Sequence, residues 1–172
     1  ERARKFIHIL AGVWMAFWPF YLPFDGIFIL GCVALTLLIY SRITNLFHAI
    51  YAVKRKTYGD ILFAVAIILC AYLSKADWIF TVSILFLALA DGGAAVAGRF
   101  WGINNQYLVF GSANSILVGW FLGGSDFMSQ SFLLTFIILP LIATVFENTM
   151  PYGFDNIFTP LTATIILNSL VI

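Results

Sequence analysis

Ala90-Asp91-Gly92-Gly93-Ala94-Ala95-Val96-Ala97-Gly98-Arg99 sets a carboxylate, a run of small residues and a guanidinium at one end of an apolar run. A charge at the centre of a membrane helix costs roughly 2.5–3.5 kcal/mol, so Asp91 reads first as a functional residue. In a straight helix it would lie about 12 Å deeper than Arg99, at 1.5 Å per residue. Gly92-Gly93 weakens the helix and predicts a break there. A broken helix at membrane depth is tolerated beside a water-filled cavity, and a restarting helix offers free N–H groups to an anion. The small residues Ala94, Ala95, Ala97 and Gly98 also suit close helix packing, and both readings stand.

The surrounding composition sets the class. The chain has 172 residues, of which 62% are hydrophobic and 10% charged. Soluble domains carry about 25% charged residues, so the chain reads as an integral membrane protein. A net charge of +1 gives no reason to expect a nucleic-acid partner. Cys32 and Cys70 both lie in apolar runs and read as small packing residues. The first apolar run ends in Phe20-Tyr21-Leu22-Pro23-Phe24 without a small-residue cleavage site, so it is expected to be a retained span.

Apolar runs predict membrane spans at 6–22, 26–40, 59–74, 78–97, 107–123, 131–149 and 157–172. The expected fold is an all-α polytopic bundle of about seven transmembrane helices, one broken near Gly92-Gly93, forming a single catalytic domain over 1–172. Arg2, Arg4, Lys5, Arg42, Lys54, Arg55, Lys56 and Arg99 then share one side, and only Lys75 lies opposite. The positive-inside rule makes the basic side, with the N-terminus, cytoplasmic. The connection 41–58 is either an orienting basic loop or a surface-lying amphipathic segment.

Other polar residues gather on the basic side. Asp60 opens the third span, Glu147 and Asn148 close the sixth, and Asp155 and Asn156 open the seventh. His8 follows Arg4 by one helical turn. Carboxylates with waters and substrate phosphates make a Mg²⁺ site, and neighbouring bases suit phosphate. Asp91, Glu147 and Asp155 are therefore the candidate metal ligands or catalytic bases. Arg4, Lys5, His8 and Arg99 are the candidate phosphate contacts. Asp155 and Asn156 could equally cap the seventh helix. Gly111-Ser112, with Asn114 and Ser115, reads as a polar helix start on the same side.

These motifs together resemble one family, the CTP-dependent lipid kinases that include dolichol kinase, phytol kinase and the yeast-type diacylglycerol kinase, related to the CDP-diacylglycerol synthases. Arg4-Lys5-Phe6-Ile7-His8 with Gly12 resembles the family's opening motif. Tyr58-Gly59 resembles its aromatic-glycine pair before the third span. Asp91 with Ala94, Gly98, Arg99 and Gly102 resembles its central signature. Gly111-Ser112 resembles the end of a later segment, and Glu147 with Asp155-Asn156 and Pro160 resembles its close. Phe110 stands where that later segment carries a glutamate, and its lysine is also absent.

The resemblance implies phosphoryl transfer from CTP, with Mg²⁺, to the hydroxyl of a lipid alcohol. The lipid would be of polyprenol, dolichol or phytol type, or diacylglycerol. It also places Gly92, Ala95, Gly98, Gly111, Ser112 and Asn156 on the nucleotide side. A phosphatidate cytidylyltransferase-like enzyme and a non-catalytic membrane protein or transporter are the alternatives. The sequence leaves oligomeric state open.

Overall fold

The computed structural model describes the backbone of residues 2–44, 46, 58–101, 104–122 and 133–171, and side chains over 9–44, 46, 58–89, 109–118, 135–146 and 148–171. Among the described residues the fold is all-helical. The α-helices are α1 (Arg2–Ala16), α2 (Phe24–Thr44), α3 (Gly59–Leu73), α4 (Asp77–Trp101), α5 (Asn104–Leu122), α6 (Leu139–Thr149) and α7 (Asp155–Asn168). A 3₁₀ turn, Trp18–Phe20, follows α1, and a π-helical stretch, Leu133–Ile138, leads into α6.

α4 is the centre of the bundle. It packs against α1, α5 and α7, and more lightly against α3. Ile79 through Ala88 are all buried, so this part of α4 has no outward face. A helix covered on all sides needs no amphipathic stripe, and its sequence has none there. α2 is the opposite case. It packs chiefly on α3, and Phe28, Ile29, Leu30, Val33, Leu37 and Ile43 are exposed along it.

The predicted helix break is overturned. α4 runs without interruption from Asp77 to Trp101, through Gly92-Gly93. A glycine costs only about 1 kcal/mol relative to alanine in a helix. Ala94 and Ala95 follow the pair, and α1 and α5 pack along the same helix, so the local weakness is outweighed.

Proline, by contrast, does shape the helices. The first predicted span, 6–22, closes as α1 at Ala16, because Pro19 cannot donate to a continuing ladder. Pro140 stands just inside α6, after the π-helical stretch. Along i→i+5 spacing the carbonyl of Thr135 would look to residue 140, which has no N–H. Asn114 of α5 supplies the donor instead, through Nδ2 to the Thr135 carbonyl, and its side chain is fully buried. The π-helical distortion is thus tied to a neighbouring helix.

Hydrogen bonds at both ends fix the topology. At one end, Tyr58 N donates to Tyr152 O at 2.9 Å, and Asn156 Nδ2 donates to Gly59 O at 3.3 Å. At the other, Asn168 Nδ2 donates to Leu73 O at 2.8 Å, and Lys75 N donates to Asn168 Oδ1 at 3.0 Å. α3 and α7 therefore run parallel, starting together and ending together, as an alternating seven-helix order requires. Lys75 lies at the end away from Arg42, as its place in the charge pattern predicts.

Among the described residues, one helix is both long and apolar enough to cross a membrane alone, the 21-residue α2. The other apolar helical stretches there are 10–17 residues long.

Candidate functional site

The sequence-predicted residues lie in the first half of α1, the last half of α4, the first half of α5, the end of α6 and the start of α7. α1 meets α4 at Gly12, where an added Cβ would stand 2.7 Å from the Cβ of Ala88. The chain leaving α1 turns toward the start of α4, with Phe24 and Phe80 ring centroids 6.2 Å apart, so α1 and α4 are antiparallel. Stepping the two backbones away from Gly12 and Ala88 places His8 level with Gly92, and Lys5 level with Ala95. Asp91, Gly98 and Arg99 continue along the same part of α4. The side chains of Arg4, Lys5, His8, Asp91, Ala95, Arg99 and Glu147 lie outside the described residues, so their placement here is that of the backbone.

Asp155 is the first residue of α7, where the partial positive charge of the helix start favours a carboxylate. Asn156 does not cap α7. Its amide reaches across to the Gly59 carbonyl, which ties α7 to α3. Tyr152 adopts φ 62° and Gly153 φ 92° in the turn before α7. A left-handed tyrosine is uncommon, and it marks a turn held by its surroundings. Glu147 lies in the last part of α6, just before this turn.

Gly111-Ser112 is not a helix start. α5 begins at Asn104, two turns earlier, so backbone groups at Gly111 are already inside the helix. Gly111 is buried, and a Cβ there would meet Phe136 O at 3.6 Å and Pro140 Cγ at 3.8 Å. Ser112 is exposed. Phe110 is 2% exposed and packs at a tilt against Phe86 with ring centroids 5.6 Å apart, in a cluster with Leu139, Ala143 and Ala163. The position at which the related segment has glutamate is here part of an apolar core.

The pairing of Arg42 was not legible in the sequence. Arg42 Nη2 donates to Asp60 Oδ1 at 3.1 Å, and its guanidinium carbon stands 4.7 Å from the Tyr58 ring centroid. The available signal was weak: opposite charges close the second span and open the third. α2 extends four residues past its predicted end, which brings Arg42 onto its last turn.

The donor set can be weighed against a divalent metal. Asp91, Glu147 and Asp155 offer hard oxygen ligands from α4, α6 and α7, the type Mg²⁺ takes. Among the described residues there is no group of three or more metal-binding side chains, and two of these three carboxylates lie outside that set.

No model of a known protein family matches the chain, and no solved structure matches it. The chain is similar to the phytol kinase of Synechocystis sp. (strain ATCC 27184 / PCC 6803 / Kazusa), with 31% identity across 96% of this chain and 78% of that protein. Likeness of this extent covers the whole helical bundle, and the chain belongs to the phytol kinase-like family of lipid kinases.

Proposed function

We propose that this chain is a membrane-embedded kinase that moves the γ-phosphoryl group of CTP to the hydroxyl of an isoprenoid alcohol of phytol or polyprenol type. The likeness to a phytol kinase over 96% of this chain carries the reading. The placing of acidic and basic candidates at the start of α1, late in α4, at the end of α6 and at the start of α7 supports it. The lipid hydroxyl oxygen attacks the γ-phosphorus, the bond to the β–γ bridging oxygen breaks, CDP leaves, and the hydroxyl proton passes to a carboxylate. Asp91, Glu147 and Asp155 are the candidates for that base and for holding Mg²⁺. The metal would neutralise charge on the phosphates. Arg4, Lys5, His8 and Arg99 would hold the phosphates, with Gly92, Ala95, Gly98, Ser112 and Asn156 nearby.

The membrane reading draws on the apolar outer face of α2 and on the one-sided basic charge. It sets the N-terminus and the site on the cytoplasmic side, where nucleotide is available. The lipid would approach sideways, leaving its tail in the bilayer.

The test uses purified full chain with labelled CTP, ATP or GTP, Mg²⁺ and a panel of lipid alcohols. Transfer to an isoprenoid alcohol with release of CDP is expected. Release of pyrophosphate would replace the kinase reading with a cytidylyltransferase. No transfer from any nucleotide would sink it.

A further inference from the structure

Arg42, Asp60 and the start of α7 are joined by a continuous run of contacts. Arg42 bonds Asp60 at 3.1 Å and lies 4.7 Å from the Tyr58 ring centroid. Tyr58 N donates to Tyr152 O at 2.9 Å, and Gly59 O accepts from Asn156 Nδ2 at 3.3 Å. Three consecutive residues at the start of α3 thus each grip a different neighbour: Asp60 holds α2, Tyr58 holds the turn before α7, and Gly59 holds the first turn of α7. Asp155 sits between the two gripped positions, Tyr152 and Asn156.

The ion pair is a poor source of stability. Its side chains are 27% and 30% exposed, and such partly exposed pairs contribute little to stability. Its effect is on geometry. A base that served only to orient the chain in a membrane would need neither a carboxylate partner nor an aromatic ring beside it. The Tyr152 backbone, at φ 62°, points the same way. Such a conformation is strained for a bulky side chain and persists only where neighbours over-determine it.

We propose that the Arg42–Asp60 pair is a positioning device for Asp155. It fixes Tyr58, Gly59 and Asp60 at the entry to α3, and through Tyr152 and Asn156 it sets where the first turn of α7 presents its carboxylate to a divalent metal. This rests on the kinase reading above. Neither Arg42 nor Asp60 touches the reacting atoms.

Mn²⁺ serves as the probe, its binding to the full chain in detergent followed by electron paramagnetic resonance. Arg42→Gln and Asp60→Asn should each weaken Mn²⁺ binding by about tenfold, the lower end for residues that orient metal ligands. The exchanged pair, Arg42→Asp with Asp60→Arg, should recover most of that loss. Arg42→Lys, which keeps the cation, should fall between and serves if Arg42→Gln does not fold. In turnover, the apparent Mg²⁺ constant should rise while the KM for lipid stays unchanged. A purely structural role would instead lower the bound fraction at constant affinity, and the exchanged pair would not restore it. That result, or single variants binding Mn²⁺ as the wild type does, overturns the proposal. So does a wild-type chain that transfers phosphoryl groups but binds no Mn²⁺. A wild-type chain that transfers nothing fails the kinase reading, whereas the affinity ratios decide the positioning role without turnover.

Discussion

Gly12 and Ala88 bring α1 and α4 into closer approach than any larger pair would permit. A methyl group at Gly12 would stand 2.7 Å from Ala88 Cβ, which is fixed to its own backbone. Gly12→Ala should therefore cost about 1–3 kcal/mol, the usual range for overpacking. Gly31→Ala should carry a comparable cost. Its added Cβ would stand 2.6 Å from Cγ1 of Ile68, a β-branched side chain that is stiff at χ1 in a helix. Thermal unfolding in detergent should lower both midpoints. Equal midpoints for Gly12→Ala and wild type would refute the close-contact account.

Phe110→Glu restores the residue type of the related kinases but should not restore their chemistry. It removes a ring packed against Phe86 and leaves a carboxylate among Leu139, Ala143 and Ala163. Losing a buried phenylalanine alone costs about 3–5 kcal/mol. The variant should purify poorly, while Phe110→Leu should fold. A stable Phe110→Glu protein with raised turnover would contradict this.

Asn114 and Pro140 should behave as a coupled pair. Asn114→Leu strips the donor from the Thr135 carbonyl and should destabilise by about 1–3 kcal/mol. Pro140→Ala returns a backbone N–H to the same part of the helix. A double-mutant cycle should show the second change offsetting part of the first, with an interaction of at least about 0.5 kcal/mol. Strict additivity would mean that Asn114 does not substitute for the missing proline donor.

Asp91→Asn should lower turnover by about 10²–10⁴-fold, the range for removing a positioned acid or base. Insertion and purification should be unchanged, because the helix around it is continuous. Activity at the wild-type level would remove Asp91 from the proposed site.

Among the described residues, seven α-helices match the predicted apolar runs because each run is bounded by charge, glycine or proline; the clearest boundary error is the first, where α1 ends at Ala16 before Pro19. Two features escaped the sequence for physical reasons. The pair Gly92-Gly93 looked like a break, but propensity is a small local quantity and neighbouring helices decide the outcome. α2 continued past its predicted end because polar residues there find partners: Thr44 Oγ1 donates to Tyr40 O at 2.9 Å, and Arg42 bonds Asp60. At the candidate site, one-sided charge in the sequence suggested a common end for the bases and carboxylates. Which base meets which acid, as in Arg42 with Asp60, was not legible, since periodicity does not rank the pairs.

The burial of α4 has a consequence for biosynthesis. Ile79–Ala88 are covered partly by α7, whose Leu167 shares their core. A nascent chain therefore cannot complete its centre until α7 has left the ribosome. α2 and α3 can pair with each other early, but α4 cannot be finished by anything that precedes α7. Truncations that spare every candidate catalytic residue but remove 161–172 should leave the assembly open to quality-control proteolysis.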